Sequence, residues 1–79
     1  MVARNLGPTI QQERTVRGLS RARFAELTGV TPRYLARLEK GERPPTLPMA
    51  EKCAVALGIT LSTLIRKVED SLDVPAIQD

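Results

Sequence analysis

The 79-residue sequence contains no histidine and no tryptophan, and only one cysteine, one tyrosine and one phenylalanine. The absence of histidine removes the side chain that most often serves as a general base or a metal ligand near neutral pH. The lone Cys53 cannot form an internal disulfide, which favours a reducing environment. No apolar run approaches the ~18 residues of a membrane span, and no segment has the pattern of a signal peptide. We therefore expect a cytoplasmic protein without membrane contact.

The sequence also lacks the patterns that catalysis requires. It contains no carboxylate cluster, no glycine-rich phosphate loop and no spacing of metal ligands. Cys53 falls on an apolar helix face without a base beside it, so it is expected in the core rather than as a nucleophile. We predict that the protein is not an enzyme, uses no cofactor or metal, and takes no small-molecule ligand.

Aliphatic side chains are expected to form the core. Hydrophobic residues make up 42% of the chain and aromatic residues 3%, a balance that suits a small helical bundle. A chain of about 60–80 residues supports one domain with a small core. Periodicity and capping residues predict one all-α domain over residues 1–72, followed by a mobile tail at 73–79. Its helices are predicted at about 8–17, 21–28, 32–40, 47–57 and 61–70.

Capping residues mark two short helices in the first half of the chain. Ser20 is an N-cap for the first of them, and Gly29 ends it in the left-handed conformation that glycine favours. Thr31 caps the second helix, Pro32 takes its first position, where no N–H is needed, and Gly41 ends it. Two helices joined by so tight a turn indicate a helix-turn-helix, whose second helix is suited to the DNA major groove.

The second of these helices is predicted to have a cationic outer face. Leu35 and Leu38 lie three residues apart and are expected to face the core. No acid stands at the helical spacing that would neutralise the opposite side, and arginines one turn apart repel each other unless they face an anion. The outward residues are Arg33, Ala36, Arg37 and Lys40.

Basic side chains are concentrated in the same half of the chain. Residues 1–43 carry nine basic and four acidic side chains, whereas residues 44–79 carry three basic and five acidic ones. Such a split fits a polyanion-binding face and an ordinary solvated surface about equally well. It supports DNA binding only together with the helix pattern.

The sequence resembles the phage-repressor and Cro-like helix-turn-helix regulators over roughly residues 6–66. The matching positions are Leu19-Ser20, Ala25, Gly29-Val30, Leu35, Leu38-Glu39-Lys40-Gly41, Leu57-Gly58-Ile59, Leu61-Ser62 and Leu64. The resemblance implies a five-helix lambda-repressor-like DNA-binding domain. It also implies a sequence-specific transcriptional regulator that binds double-stranded DNA as a homodimer on a palindromic or pseudopalindromic operator.

The expected DNA contacts follow from residue type and from the family's pattern. Arg33 and Arg37 are suited to guanine O6 and N7, and Ala36 to a thymine methyl group. Pro32 departs from the family, which often has a polar base-reading side chain there. Tyr34 is expected either to contact the DNA or to pack on the preceding helix. The expected phosphate contacts are Ser20, Arg21, Tyr34, Lys40 and Arg43, with Arg21 standing where the family usually has a glutamine.

The first helix carries two further expectations. The resemblance implies an ion pair between Arg14 and Glu39 that ties this helix to the recognition helix, the alternative being two independent surface charges. Glu13 stands where the family usually has an apolar residue, and we expect it to be half-buried and held by Arg17 one turn later.

An apolar stripe on the last helix predicts a dimer interface, because it continues past the expected end of the domain body. The predicted interface residues are Leu64, Val68 and Leu72, and the tail at 73–79 is a candidate part of the same surface. A second function class stays open, an antitoxin or adaptor that uses this fold mainly to bind a partner protein.

Overall fold

A computed structural model describes the backbone of residues 2–72 and the side chains of residues 5–70. Over these residues the chain forms five α-helices and no strand, which confirms the predicted fold class. The helices are α1 (Val2–Val16), α2 (Arg21–Thr28), α3 (Pro32–Glu39), α4 (Leu47–Leu57) and α5 (Leu61–Leu72). In this part of the chain no single helix is long and apolar enough to cross a membrane; α4 and α5 together reach that length and composition but meet at 94°.

The start of α1 differs from the sequence prediction. The helix begins at Val2 rather than near Pro8, and Pro8 lies inside it. The reason is tertiary packing, because Leu6 and Gly7 are both buried. A Cβ on Gly7 would stand only 1.8 Å from the carbonyl oxygen of Leu38. The first turns of α1 therefore lie directly against α3, and this contact outweighs the hydrogen bond that proline cannot donate.

The core is mainly aliphatic, as the composition predicts, and Phe24 is the one aromatic residue among its fully buried members. All five helices contribute to it, and Leu19, Val30 and Tyr34 pack against it from the side. The buried hydrophobic residues are Leu6, Ile10, Phe24, Ala25, Leu35, Leu38, Met49, Ala50, Cys53, Ala54, Leu57, Leu64 and Val68.

The predicted dimer interface on α5 is wrong for Leu64 and Val68. Leu64 and Val68 are fully buried inside their own domain, in the same cluster as Leu6 and Ile10 of α1. Because α1 starts earlier than predicted and packs along α5, the domain body extends further along α5 than the sequence suggested. The side chain of Leu72 and residues 73–79 lie outside the described residues.

A polar cluster ties α1 to α4 and α5 at the other end of α1. Arg17 binds the Glu13 carboxylate at 2.7 Å, and its Nε donates at 2.9 Å to the carbonyl oxygen of Leu57, the last residue of α4. Lys67 of α5 lies 3.7 Å from the same carboxylate, whose side chain is 17% exposed. The prediction that Arg17 holds a half-buried Glu13 is confirmed, and Arg17 additionally caps α4.

Candidate nucleic-acid interface

Local hydrogen bonds cap the starts of α2 and α3. The Ser20 hydroxyl accepts from the Arg23 N–H at 3.0 Å, and the Thr31 hydroxyl accepts from the Tyr34 N–H at 3.0 Å. Gly29 ends α2 with a φ of +77°. These caps satisfy amides that would otherwise lack partners at the start of each helix, so each helix begins at a defined residue.

The outer face of α3 presents basic side chains to solvent. Leu35 and Leu38 are fully buried, while Arg33 and Arg37 are exposed and Ala36 is half-buried. With α3 anchored through its leucines, the two arginines lie on the side of the helix that faces away from the domain. This arrangement can reach the edges of bases in a major groove.

One detail of this face was not predicted. Arg37 has an acidic neighbour, since Glu42 Oε1 lies 3.6 Å from Arg37 Nε. The chain reverses at Gly41, which has a φ of +83°, and the Glu42 N–H donates to the Arg37 carbonyl oxygen at 3.0 Å. This is the hydrogen bond of a Schellman turn, which returns the second residue after the helix cap to the helix's last turn. The i,i+3 and i,i+4 spacing of a helix does not relate Glu42 to Arg37. Gly41, as a helix-ending glycine, could have predicted the turn that brings them together.

Behind this face, the implied pair of Arg14 and Glu39 is present. Arg14 Nε donates to Glu39 Oε2 at 2.7 Å, and its Nη2 donates to Oε1 at 3.2 Å. A third bond runs from Arg14 Nη1 to the Leu19 carbonyl oxygen at 2.7 Å. The Glu39 side chain is completely buried. The pair therefore fixes the end of α3 to α1 and to the segment that enters α2.

Arg21 joins the same carboxylate. Its Nε donates to Glu39 Oε1 at 3.2 Å, while its side chain stays 41% exposed. Two cations thus share one buried anion. The group has a net positive charge, which is presented to solvent mainly by Arg21. The sequence pattern did not predict this contact, because it depends on how the start of α2 meets the end of α3.

The other candidate phosphate contacts lie around the same surface. Ser20 is exposed beside Arg21, and Lys40 and Arg43 are exposed after the end of α3. Within the described residues, neither Lys40 nor Arg43 forms an ion pair. Tyr34 is half-buried and packs against the core.

Cys53 is a core residue in the structure. It is fully buried, and burial, with the charge of Glu39 as the lesser cause, raises the pKa of its thiol to about 12. The thiol is therefore protonated and inert at neutral pH. Among the described residues, no three histidine, cysteine, aspartate or glutamate side chains lie close enough together to hold a metal ion.

Comparisons with known proteins agree with this geometry. A helix-turn-helix family model matches residues 10–64. The HTH-type transcriptional regulator SutR of Escherichia coli (strain K12) is 36% identical over 78 residues, a match that covers 99% of this chain and 43% of SutR. This chain therefore spans less than half the length of that relative.

Solved structures provide the corresponding comparison of folds. Two crystal structures of the clp gene regulator ClgR from Corynebacterium glutamicum superpose on the chain with TM-scores of 0.86 and 0.85. Each is 24% identical and covers 99% of this chain, matching 83% and 97% of its own chain. At this identity the superposition shows a shared five-helix fold.

Proposed function

Because the chain belongs to the phage-repressor and Cro-like family of helix-turn-helix transcriptional regulators, we propose that it binds a specific DNA operator with α3 in the major groove. The observation that supports this most directly is the exposed position of Arg33 and Arg37 on a helix whose opposite side is buried. A short helix anchored in this way can enter the groove without disturbing the core.

Base recognition is assigned to three side chains of α3. Arg33 and Arg37 bind guanine O6 and N7 through paired N–H groups, and Ala36 contacts a thymine methyl group. Pro32, at the start of the helix, has no polar side chain to contribute. Recognition therefore depends on few residues in each half-site, which makes each arginine correspondingly important.

Phosphate contacts position this helix. Arg21 is proposed to bind one phosphate at the start of α2 together with Ser20, while Lys40 and Arg43 bind phosphates beyond the end of α3. Glu39 supports the first of these contacts by binding Arg21 Nε from behind. Tyr34 is proposed to add its hydroxyl to the same backbone while its ring stays packed on the core.

A homodimer is proposed because one recognition helix reads only a few base pairs. Since Leu64 and Val68 are buried, the interface must use other residues. Val55 of α4 is 76% exposed and lies beside Leu27 and Pro48 on one side and Ile59 on the other. Glu51 and Lys52 are adjacent and have opposite charges. A twofold axis at Val55 can therefore place Glu51 of each copy beside Lys52 of the other copy. This second copy would place two half-sites about one helical turn apart.

The test is selection of duplexes from random-sequence DNA, followed by binding measurements at several salt concentrations. Each phosphate contact contributes about −0.9 to the slope of log K against log salt concentration. We expect one enriched, twofold-symmetric sequence and a steep slope, which Lys40→Ala or Arg43→Ala reduces by about one for each subunit. If no sequence is enriched and the salt response is flat, DNA is not the partner.

The exposed apolar residues favour a second candidate, in which the same domain binds another protein as an antitoxin or adaptor. Leu27, Leu47 and Val55 are large apolar residues that the fold leaves exposed on α2 and α4. The two functions differ in which variants impair them. Arg37→Ala impairs an operator-binding protein but leaves a module that binds a different protein through these apolar residues unchanged. Val55→Asp does not separate the two functions, because Val55 also lies at the proposed dimer surface.

A further inference from the structure

Glu42 lies beside Arg37, although no helical spacing relates the two residues. The Glu42 N–H donates to the Arg37 carbonyl oxygen at 3.0 Å, and the left-handed Gly41 makes this reversal possible. The acid is thus fixed to the last turn of α3 through the backbone rather than through side chains alone. The turn therefore accounts for the position of Glu42 next to Arg37.

The carboxylate approaches the guanidinium group at Nε, as an ion pair without a hydrogen bond. The distance from Arg37 Nε to Glu42 Oε1 is 3.6 Å, and the two side chains are 51% and 53% exposed. The terminal nitrogens of Arg37 form no hydrogen bond among residues 5–70. Two parallel N–H groups of this kind match guanine O6 and N7.

We propose that Glu42 determines base specificity by holding Arg37 at Nε, so that the terminal nitrogens point toward guanine. The inference deepens the proposed function and rests on it. An unrestrained arginine has many rotamers and can bind a phosphate as readily as a base. An arginine held from behind loses fewer conformations when it meets guanine and turns less readily to a phosphate.

The charge of Glu42 acts in the opposite direction on affinity. A carboxylate at the edge of a DNA interface is repelled by the phosphates, so it weakens binding to every duplex regardless of sequence. The proposal therefore requires two effects of opposite sign from one side chain: lower affinity for all DNA and higher discrimination at one base pair. A surface ion pair without a role in recognition produces only the first effect.

The experiment uses the full chain and the duplex that the wild-type protein selects from random-sequence DNA. Arg37→Ala first identifies the base pair that Arg37 reads, and all four base pairs are then tested at that position. We expect Glu42→Gln to bind scrambled DNA about two- to threefold more tightly and to lose roughly three- to tenfold of its discrimination at that base pair. Glu26→Gln is the matched control, since it removes the same charge from an exposed pair with Arg23 on α2. It should leave discrimination unchanged.

Two outcomes overturn the proposal. The first is a Glu42→Gln variant that binds all duplexes more tightly with unchanged ratios between them, because this is a charge effect alone. The second is a change in discrimination that Glu42→Gln still produces in the Arg37→Ala background, because Glu42 would then contact a base itself. Failure of the wild-type protein to select any duplex would instead reject the proposed function, and this is seen before any variant is made.

Discussion

Arg14 in α1 and Glu39 at the end of α3 are joined by two hydrogen bonds, Nε to Oε2 at 2.7 Å and Nη2 to Oε1 at 3.2 Å. Arg21, at the start of α2, completes the group with a bond of 3.2 Å to Glu39 Oε1. One buried carboxylate thus holds together the first three helices. The orientation of the recognition helix depends on an ionic contact as well as on apolar packing.

Removing either partner of this pair should destabilise the fold, but to different extents. Glu39→Ala leaves Arg14 buried without its anion, and loss of a buried partner costs ~3–5 kcal/mol. Arg14→Ala should cost less, because Arg21 still neutralises Glu39 and is itself 41% exposed. The measurement is the free energy of unfolding in urea. The double variant should lose less than the sum of the two single losses, and strict additivity would show that the side chains do not interact.

Truncating the base-reading arginines should affect specificity rather than overall DNA affinity. Arg33→Ala and Arg37→Ala should each relax the preference at one base pair per half-site, at a cost of ~1–3 kcal/mol. Arg43→Ala should weaken selected and scrambled duplexes alike, because a phosphate carries no sequence information. Arg66→Ala, which removes an exposed arginine from α5, is the control for net charge. Unchanged operator preference in Arg37→Ala would refute the proposed reading face.

The revised dimer surface can be tested with two exposed valines. Val55 and Val16 are 76% and 74% exposed, and they lie on α4 and α1 respectively. Val55→Asp should dissociate the dimer because an unpaired charge would be buried in the interface, whereas Val16→Asp should leave it intact. Sedimentation at micromolar concentration distinguishes the two. A monomeric wild-type protein, or a Val55→Asp variant that stays dimeric, contradicts this surface.

Local signals predicted the caps of α2 and α3 well. The hydroxyl groups of Ser20 and Thr31 each accept a hydrogen bond from an amide three residues later, and Gly29 has the left-handed conformation. Each of these interactions involves residues close in sequence. A single sequence therefore contains the information that specifies them.

Contacts between distant segments account for the errors. Pro8 suggested the start of α1, whereas the close approach of Gly7 to Leu38 depends on another helix. Likewise, the apolar spacing on α5 predicted that Leu64 and Val68 are buried, but not which surface buries them. Periodicity shows that a face is buried; only the packing of the helices shows by which surface.

Chemical labelling of the buried thiol of Cys53 can be used to measure opening of the core. Cys53 is fully buried, and burial raises the pKa of its thiol from 9.0 to about 12, so an alkylating reagent at neutral pH reacts far faster with molecules in which the core has opened. The rate of labelling consequently measures the opening equilibrium at the single cysteine of the sequence, without a probe having to be introduced. The same pKa difference gives alkaline sensitivity, because stability present below about pH 9 is lost as the pH rises toward 12, where the folded thiol ionises. Any ligand that binds only the closed domain must slow this labelling in proportion to its occupancy.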